Sequence, residues 1–137
     1  MYHKQITYKD YNGVTRTGDY YFNINKAELV EIQASIPGGL QTYLEEMTHT
    51  TDNHKLVEFI KKLMELSYGV KTPDGIQFRK SKEEWDKFRW SEAYVEMFLA
   101  LGNNAQDASD FVNNILPAEL LAEAREQTAA PALTVAE

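Results

Sequence analysis

A chain of 137 residues with 43% hydrophobic content is long enough to bury one core and too apolar for disorder along most of its length. Its net charge of −7 repels phosphate, which sets nucleic acid aside as a partner. Cysteine is absent, which excludes disulfides, a thiolate nucleophile and cysteine-type zinc sites. The start, MYHKQITYKD, lacks the apolar stretch of a signal peptide, and no apolar run nears the roughly 20 residues that cross a bilayer. A cytoplasmic protein with no membrane partner is therefore expected.

Residues 4–8 and 15–22 are short, aromatic and β-branched, and Asn12-Gly13 between them is a hairpin signal. On the second segment Tyr20, Phe22 and Ile24 share one face at period two. An isolated hairpin is marginal in water, so these side chains should pack on helices. Asn25 with Glu28 three positions on has capping-box spacing and predicts a helix ending near Ser35. Ile36-Pro37-Gly38-Gly39 breaks it, because the residue before proline avoids the helical region. A short helix over 40–47 then places Leu40, Tyr43, Leu44 and Met47 on one stripe.

Residues 48–53 form a polar connector. The helix over roughly 54–68 is the best patterned in the chain, with Leu56, Phe59, Ile60, Leu63, Met64 and Ser67 on one face. Gly69 is placed to take the left-handed conformation beyond its end. Thr72-Pro73-Asp74-Gly75 is a turn, since proline pre-sets φ and glycine accepts a positive one. Ile76-Gln77-Phe78 can pair as an edge strand with Gly69-Val70-Lys71. Ser81 and Glu84 repeat the capping-box spacing and open a helix carrying Trp85 and Phe88, with Trp90 just beyond.

Ser91 opens the next helix, whose predicted buried face is Tyr94, Val95, Phe98, Leu99 and Leu101, and Gly102-Asn103-Asn104 ends it. Residues 105–116 form another, with Ala108, Phe111, Val112 and Ile115 inward. Pro117 suits the first position of a last helix over 118–127. Residues 128–137 (TAAPALTVAE) are small, proline-bearing and without period, the pattern of a flexible tail. The expected fold is α+β, mainly α. It has an N-terminal β-hairpin at about 4–22 packed on a bundle of about six short helices, all in one domain over 1–127, followed by a disordered C-terminal tail.

No constellation of residues carries chemistry. His3, His49 and His54 are the neutral-pH proton carriers, and His49 and His54 straddle a loop, so no one-turn helical spacing converges them on a metal with Asp52, Glu45 or Glu46. Glu45-Glu46, Glu83-Glu84 and the pair Glu92/Glu96 read as solvated helix surface, whereas glycosidase chemistry needs carboxyls facing across a cleft. Pro37-Gly38-Gly39 lacks the lysine of a phosphate loop and reads as a hinge between helices. The aromatics Trp85, Phe88, Trp90 and Tyr94 lack the basic groove that base stacking requires, and read as core with some exposed as a protein-docking surface. No catalytic, cofactor-binding or metal-ligating residue is assigned, and no enzyme is expected.

The block YGVKTPDGIQFRKS, the helix SEAYVEMFLAL and the ending DASDFVNNILP resemble the tail assembly chaperones of long-tailed phages. Members of that family carry a YG-x-K-x-x-DG-x-x-F-x-KS block, a TEAY-like helix and an F-x-x-x-I-x-P ending. TYKDYNGVTRTGDYYFNINKAEL and PGGLQTYLEEM are similar to it as well, so the resemblance spans roughly residues 3–121. Arg89-Trp90 stands where the family pattern has polar residues.

The resemblance implies a non-enzymatic factor in the host cytoplasm, not expected in the mature virion. It would coat the largely helical tape measure protein, keep it soluble and help recruit tail tube protein. The family also implies a frameshifted, extended form of the same chain, with a junction in the segment after Gln127. Coating a filament-like partner calls for many copies, which makes a homo-oligomer a candidate. The alternative is a structural tail or connector subunit of the virion, which would be found in purified particles where a chaperone would not. Expected partner-binding residues are Phe59, Leu63, Met64, Trp85, Phe88, Trp90, Tyr94 and Phe98, with methionines 47, 64 and 97 as adaptable apolar contacts.

Overall fold

The computed structural model describes residues 1–49 and 51–117, and the side chains of Leu40, Gln41, Leu44, Met47 and Thr48 are not among those described. Strands β1 (Tyr2–Lys9) and β2 (Thr15–Phe22) pair antiparallel from Tyr2↔Phe22 to Lys9↔Thr15. At their tip the Asp10 carboxylate accepts from the backbone N–H groups of Asn12 and Val14, each at 2.9 Å. Gly13, at φ 80°, takes the left-handed position that closes the three-residue loop.

The predicted two-stranded hairpin is part of a larger sheet. Strand β3 (Tyr68–Lys71) pairs with β2 through Tyr21↔Gly69 and Phe22↔Tyr68, and β4 (Phe78–Arg79) pairs with β3, giving the order β1-β2-β3-β4. The hairpin alone is marginal, and the second pair of strands extends it by backbone bonding. The turn between β3 and β4 forms where the sequence placed it. Gly75 N–H donates to the Thr72 carbonyl at 2.8 Å, Gly75 has φ 76°, and Asp74 accepts from the Ile76 N–H at 3.0 Å.

Helices α1 (Lys26–Ser35), α2 (Gly39–His49) and α3 (Asn53–Ser67) fill the chain between β2 and β3. Helices α4 (Lys82–Arg89), α5 (Glu92–Asn103) and α6 (Ala105–Ile115) follow β4. The sequence expectations for residues 118–127 and 128–137 lie outside the described residues. Start signals largely hold. Asn25 and Glu28 make both arms of the capping box, at 2.8 and 3.0 Å. Ser81 Oγ accepts from Glu84 N–H at 3.1 Å, while the Glu84 carboxylate turns to Lys87 at 3.4 Å instead of completing the box. Ser91 stands at the N-cap of α5, but its hydroxyl donates back to the Phe88 carbonyl at 2.7 Å.

One face of the sheet is apolar, and the helices pack on it. Tyr2, Ile6, Tyr8, Tyr20 and Phe22 alternate onto that face, and their rings join those of α4, α5 and α6. Phe88 is the hub. Its ring stacks on Tyr68 at 4.6 Å and also meets Tyr20, Phe22, Trp85 and Tyr94. Side chains of this size each stabilise by about 1.5–3 kcal/mol on full burial. The opposite face is polar, with Thr7 and Thr17 hydroxyls 3.0 Å apart and His3 bonded to Asp19 at 2.9 Å.

Two expectations are corrected. The buried face of α5 is Ala93, Tyr94, Met97 and Leu101, while Val95 and Leu99 are exposed and Phe98 is half-buried. Apolar residues run all around this helix, so periodicity leaves its rotation open, and packing against β1, α3 and α6 sets it. Gly69 does not adopt a left-handed conformation. It lies within β3, and the Phe78 ring crosses it so closely that a Cβ there would stand 2.5 Å from a ring carbon.

Candidate docking surfaces

Ile36-Pro37-Gly38-Gly39 folds α2 back along α1. Gly39 N–H donates to the Ile36 carbonyl at 2.9 Å, and Gly38 and Gly39 sit at φ 81° and 84°, a pair of left-handed residues that side-chain-bearing residues would occupy only with strain. With α3 beside them, the helices enclose an apolar groove. Ile24, Ile32, Ile36, Tyr43, Phe59 and Leu66 line it, joined by Leu63 and Lys62. The Tyr43 ring leans on Phe59 at 5.3 Å and closes one side.

The enclosed volume is about 10 Å³, room for about one water and far below the roughly 300 Å³ where small-molecule sites begin. Such a furrow suits apolar side chains laid across it. Among the described residues that line it, Lys62, exposed, is the one that carries a charge.

Apolar side chains are also exposed at the α4–α5 junction and along α5. Trp90 is 68% exposed, and Leu99 and Val95 are exposed one helical turn apart on α5. The Arg89 guanidinium lies 4.4 Å from the centres of both the Trp90 and Tyr94 rings. Burial raises the Tyr94 phenol's pKa and the nearby Arg89 charge opposes that shift. At the hairpin tip, hydrogen bonding to the carboxylate of Glu92, the first residue of α5, raises the pKa of exposed Tyr11.

The sequence-derived contact residues separate by depth. Phe59 and Leu63 form the groove floor. Met64, Phe88 and Tyr94 are core, Trp85 and Phe98 are half-buried against it, and Trp90 projects into solvent. Of the methionines, Met64 and Met97 are fully buried, and the side chain of Met47 lies outside those described. Sequence reading did not single out Ile32, Ile36 and Leu66 as site residues. The spacing of Ile32 and Ile36, one turn apart on the flank of a glycine hinge, was the available signal.

Among the described residues no group of three or more His, Asp or Glu side chains is placed to hold a metal ion, and no helix is long and apolar enough to cross a membrane. His49 and His54 are both exposed.

A family model described as phage tail assembly chaperone matches residues 1–137. The chain belongs to the phage tail assembly chaperone family. No curated protein and no solved structure is similar enough to match it. Membership implies tail proteins as partners and argues for a role without catalysis.

Proposed function

We propose that this tail assembly chaperone binds the tape measure protein in the host cytoplasm, keeps it soluble, and helps recruit tail tube subunits before leaving the growing tail. The apolar groove between α1, α2 and α3 carries the reading. Helix-in-groove recognition takes apolar side chains at one-turn spacing, and the apolar lining of the furrow supports recognition of that kind. Each buried leucine-sized anchor contributes about 1.5–3 kcal/mol, so one shallow groove grips weakly and releases readily. Many copies along a long helical partner make a firm coat where neighbouring copies also touch, because each copy then binds both the partner and its neighbour. A frameshifted, extended form of the chain would carry the contact to the tail tube protein, and copies would adjoin one another along the coat.

Co-expression tests the reading. Tape measure protein made with this chain should move into the soluble fraction and co-purify with it. Tape measure protein that stays insoluble and unbound would refute the assignment.

A further inference from the structure

We propose that the groove selects a helix whose apolar stripe is bordered by a carboxylate, and that Lys62 reads that carboxylate. The inference rests on the docking role proposed above, with the tape measure protein as the source of the helix, and adds the partner's chemistry.

The walls make the first half of the selection. Ile32 comes from α1, Ile36 caps its end, and Phe59, Leu63 and Leu66 come from α3. None of these side chains has a hydrogen-bonding group. A polar side chain pressed among them would give up water and gain no partner, so they admit only apolar anchors.

Lys62 makes the second half. Along α3, Glu58 stands four residues before it and Glu65 three residues after it, spacings at which helical ion pairs form. Yet Lys62 makes no ion pair among the described residues, and Glu58 meets Lys61 at 3.8 Å instead. Lys62 contributes to the groove lining while remaining exposed, the pattern of a stem laid on apolar surface with its ammonium in water. A cation held at the border of an apolar groove attracts an incoming carboxylate and repels an incoming lysine or arginine, which gives specificity more than affinity. The chain's net charge of −7 acts the other way at long range, but salt screens exposed charges beyond about 8 Å, so the choice at contact falls to Lys62.

Overlapping peptides that cover the tape measure protein, titrated into the full chain, find the segment that binds. That segment should carry Asp or Glu beside its apolar stripe, and a second peptide is made with Lys at that position. Wild type should prefer the acidic peptide by about fivefold. Lys62→Glu, with an unchanged circular dichroism spectrum, should reverse the preference. Lys55→Glu, on the exposed surface of α3 and outside the groove lining, should leave it as it was. A bound segment without a bordering carboxylate, equal affinity for the two peptides, or a preference that survives Lys62→Glu would each overturn the inference and leave the docking role standing. Binding of no segment would refute the docking role itself, and the inference with it. A lower native mass of the free chain on Lys62→Glu would assign the groove to a second copy and overturn the inference likewise.

Discussion

Lys80 and Glu28, 52 residues apart in the chain, meet at 2.7 Å between Nζ and Oε2. The same ammonium donates to the Leu66 carbonyl at 2.7 Å and to the Asn23 carbonyl at 2.5 Å. Leu66 lies in the last turn of α3, where a cation meets the negative end of the helix dipole. Glu28 is also the return arm of the α1 capping box, so one side chain ties the start of α1 to the end of α3. Burial lowers the Lys80 pKa, and the bond to Glu28 offsets that only in part.

Lys80→Met keeps the stem and removes the donors, leaving a carboxylate and two carbonyls short of a partner. Side-chain exposures of 21% and 29% give the heads some water, which moderates the loss. A cost of about 2 kcal/mol is expected, read as a lower urea midpoint at unchanged slope. An unchanged midpoint would show the ammonium to be dispensable.

Alkaline stability should follow Tyr68. Burial, with the Glu84 carboxylate adding to it, raises its phenol from 10.0 to about 12, and burial with the Tyr8 contact raises Tyr20 as well. Above pH 10 the unfolded chain releases phenol protons that the folded chain keeps, so stability falls as pH rises. The tyrosine contribution is intact below pH 10 and is lost between about pH 10 and 12. Lys80 acts with the opposite sign, because its folded value is below 10.5, and its effect has run out above that pH. Tyr68→Phe should therefore flatten the fall in urea midpoint between pH 10.5 and 12. An equal slope in both proteins would contradict this.

Gly69→Ala should cost about 1–3 kcal/mol by driving the Phe78 ring from its place over β3. In a Phe78→Ala background the same change should cost far less. A double-mutant cycle on urea midpoints measures the coupling, and additive losses would mean that the ring is not the obstacle.

Phe88 and Trp90, two residues apart, should behave oppositely. Phe88 is 2% exposed at the centre of the aromatic cluster, so Phe88→Ala should cost about 3–5 kcal/mol. Trp90 is 68% exposed over Arg89, so Trp90→Ala should cost about 1 kcal/mol or less. Thermal melts separate the two. Equal losses would contradict the burial difference.

Local chemistry was legible in the sequence where it is decided locally. Asn25 and Glu28, the Thr72-to-Gly75 turn, the Asn12-Gly13 tip and the α3 stripe each rest on neighbours within a few residues. What stayed hidden depends on long-range packing. The pairing of Tyr21 with Gly69 and Phe22 with Tyr68, which builds one sheet, joins segments that share no local signal. The rotation of α5, apolar all around, is settled by its neighbours. The aromatics around Phe88 suit a core and a docking surface equally well in sequence, and packing separates them, with Phe88 and Tyr94 buried and Trp90 exposed. The groove emerged only once α2 folded back, because Ile36 and Tyr43 face each other across a hinge whose angle two positive-φ glycines set.

The most direct measurement titrates helical segments of the tape measure protein into this chain and into two variants. Ile36→Glu places a charge in the groove, and Leu99→Glu places one on the exposed side of α5, outside the groove's lining. Wild type and Leu99→Glu should bind with similar affinity, whereas Ile36→Glu, with an unchanged circular dichroism spectrum, should lose about tenfold or more, the effect of about 1.4 kcal/mol. Equal affinity for Ile36→Glu and wild type, or loss confined to Leu99→Glu, would place the partner elsewhere and contradict the account.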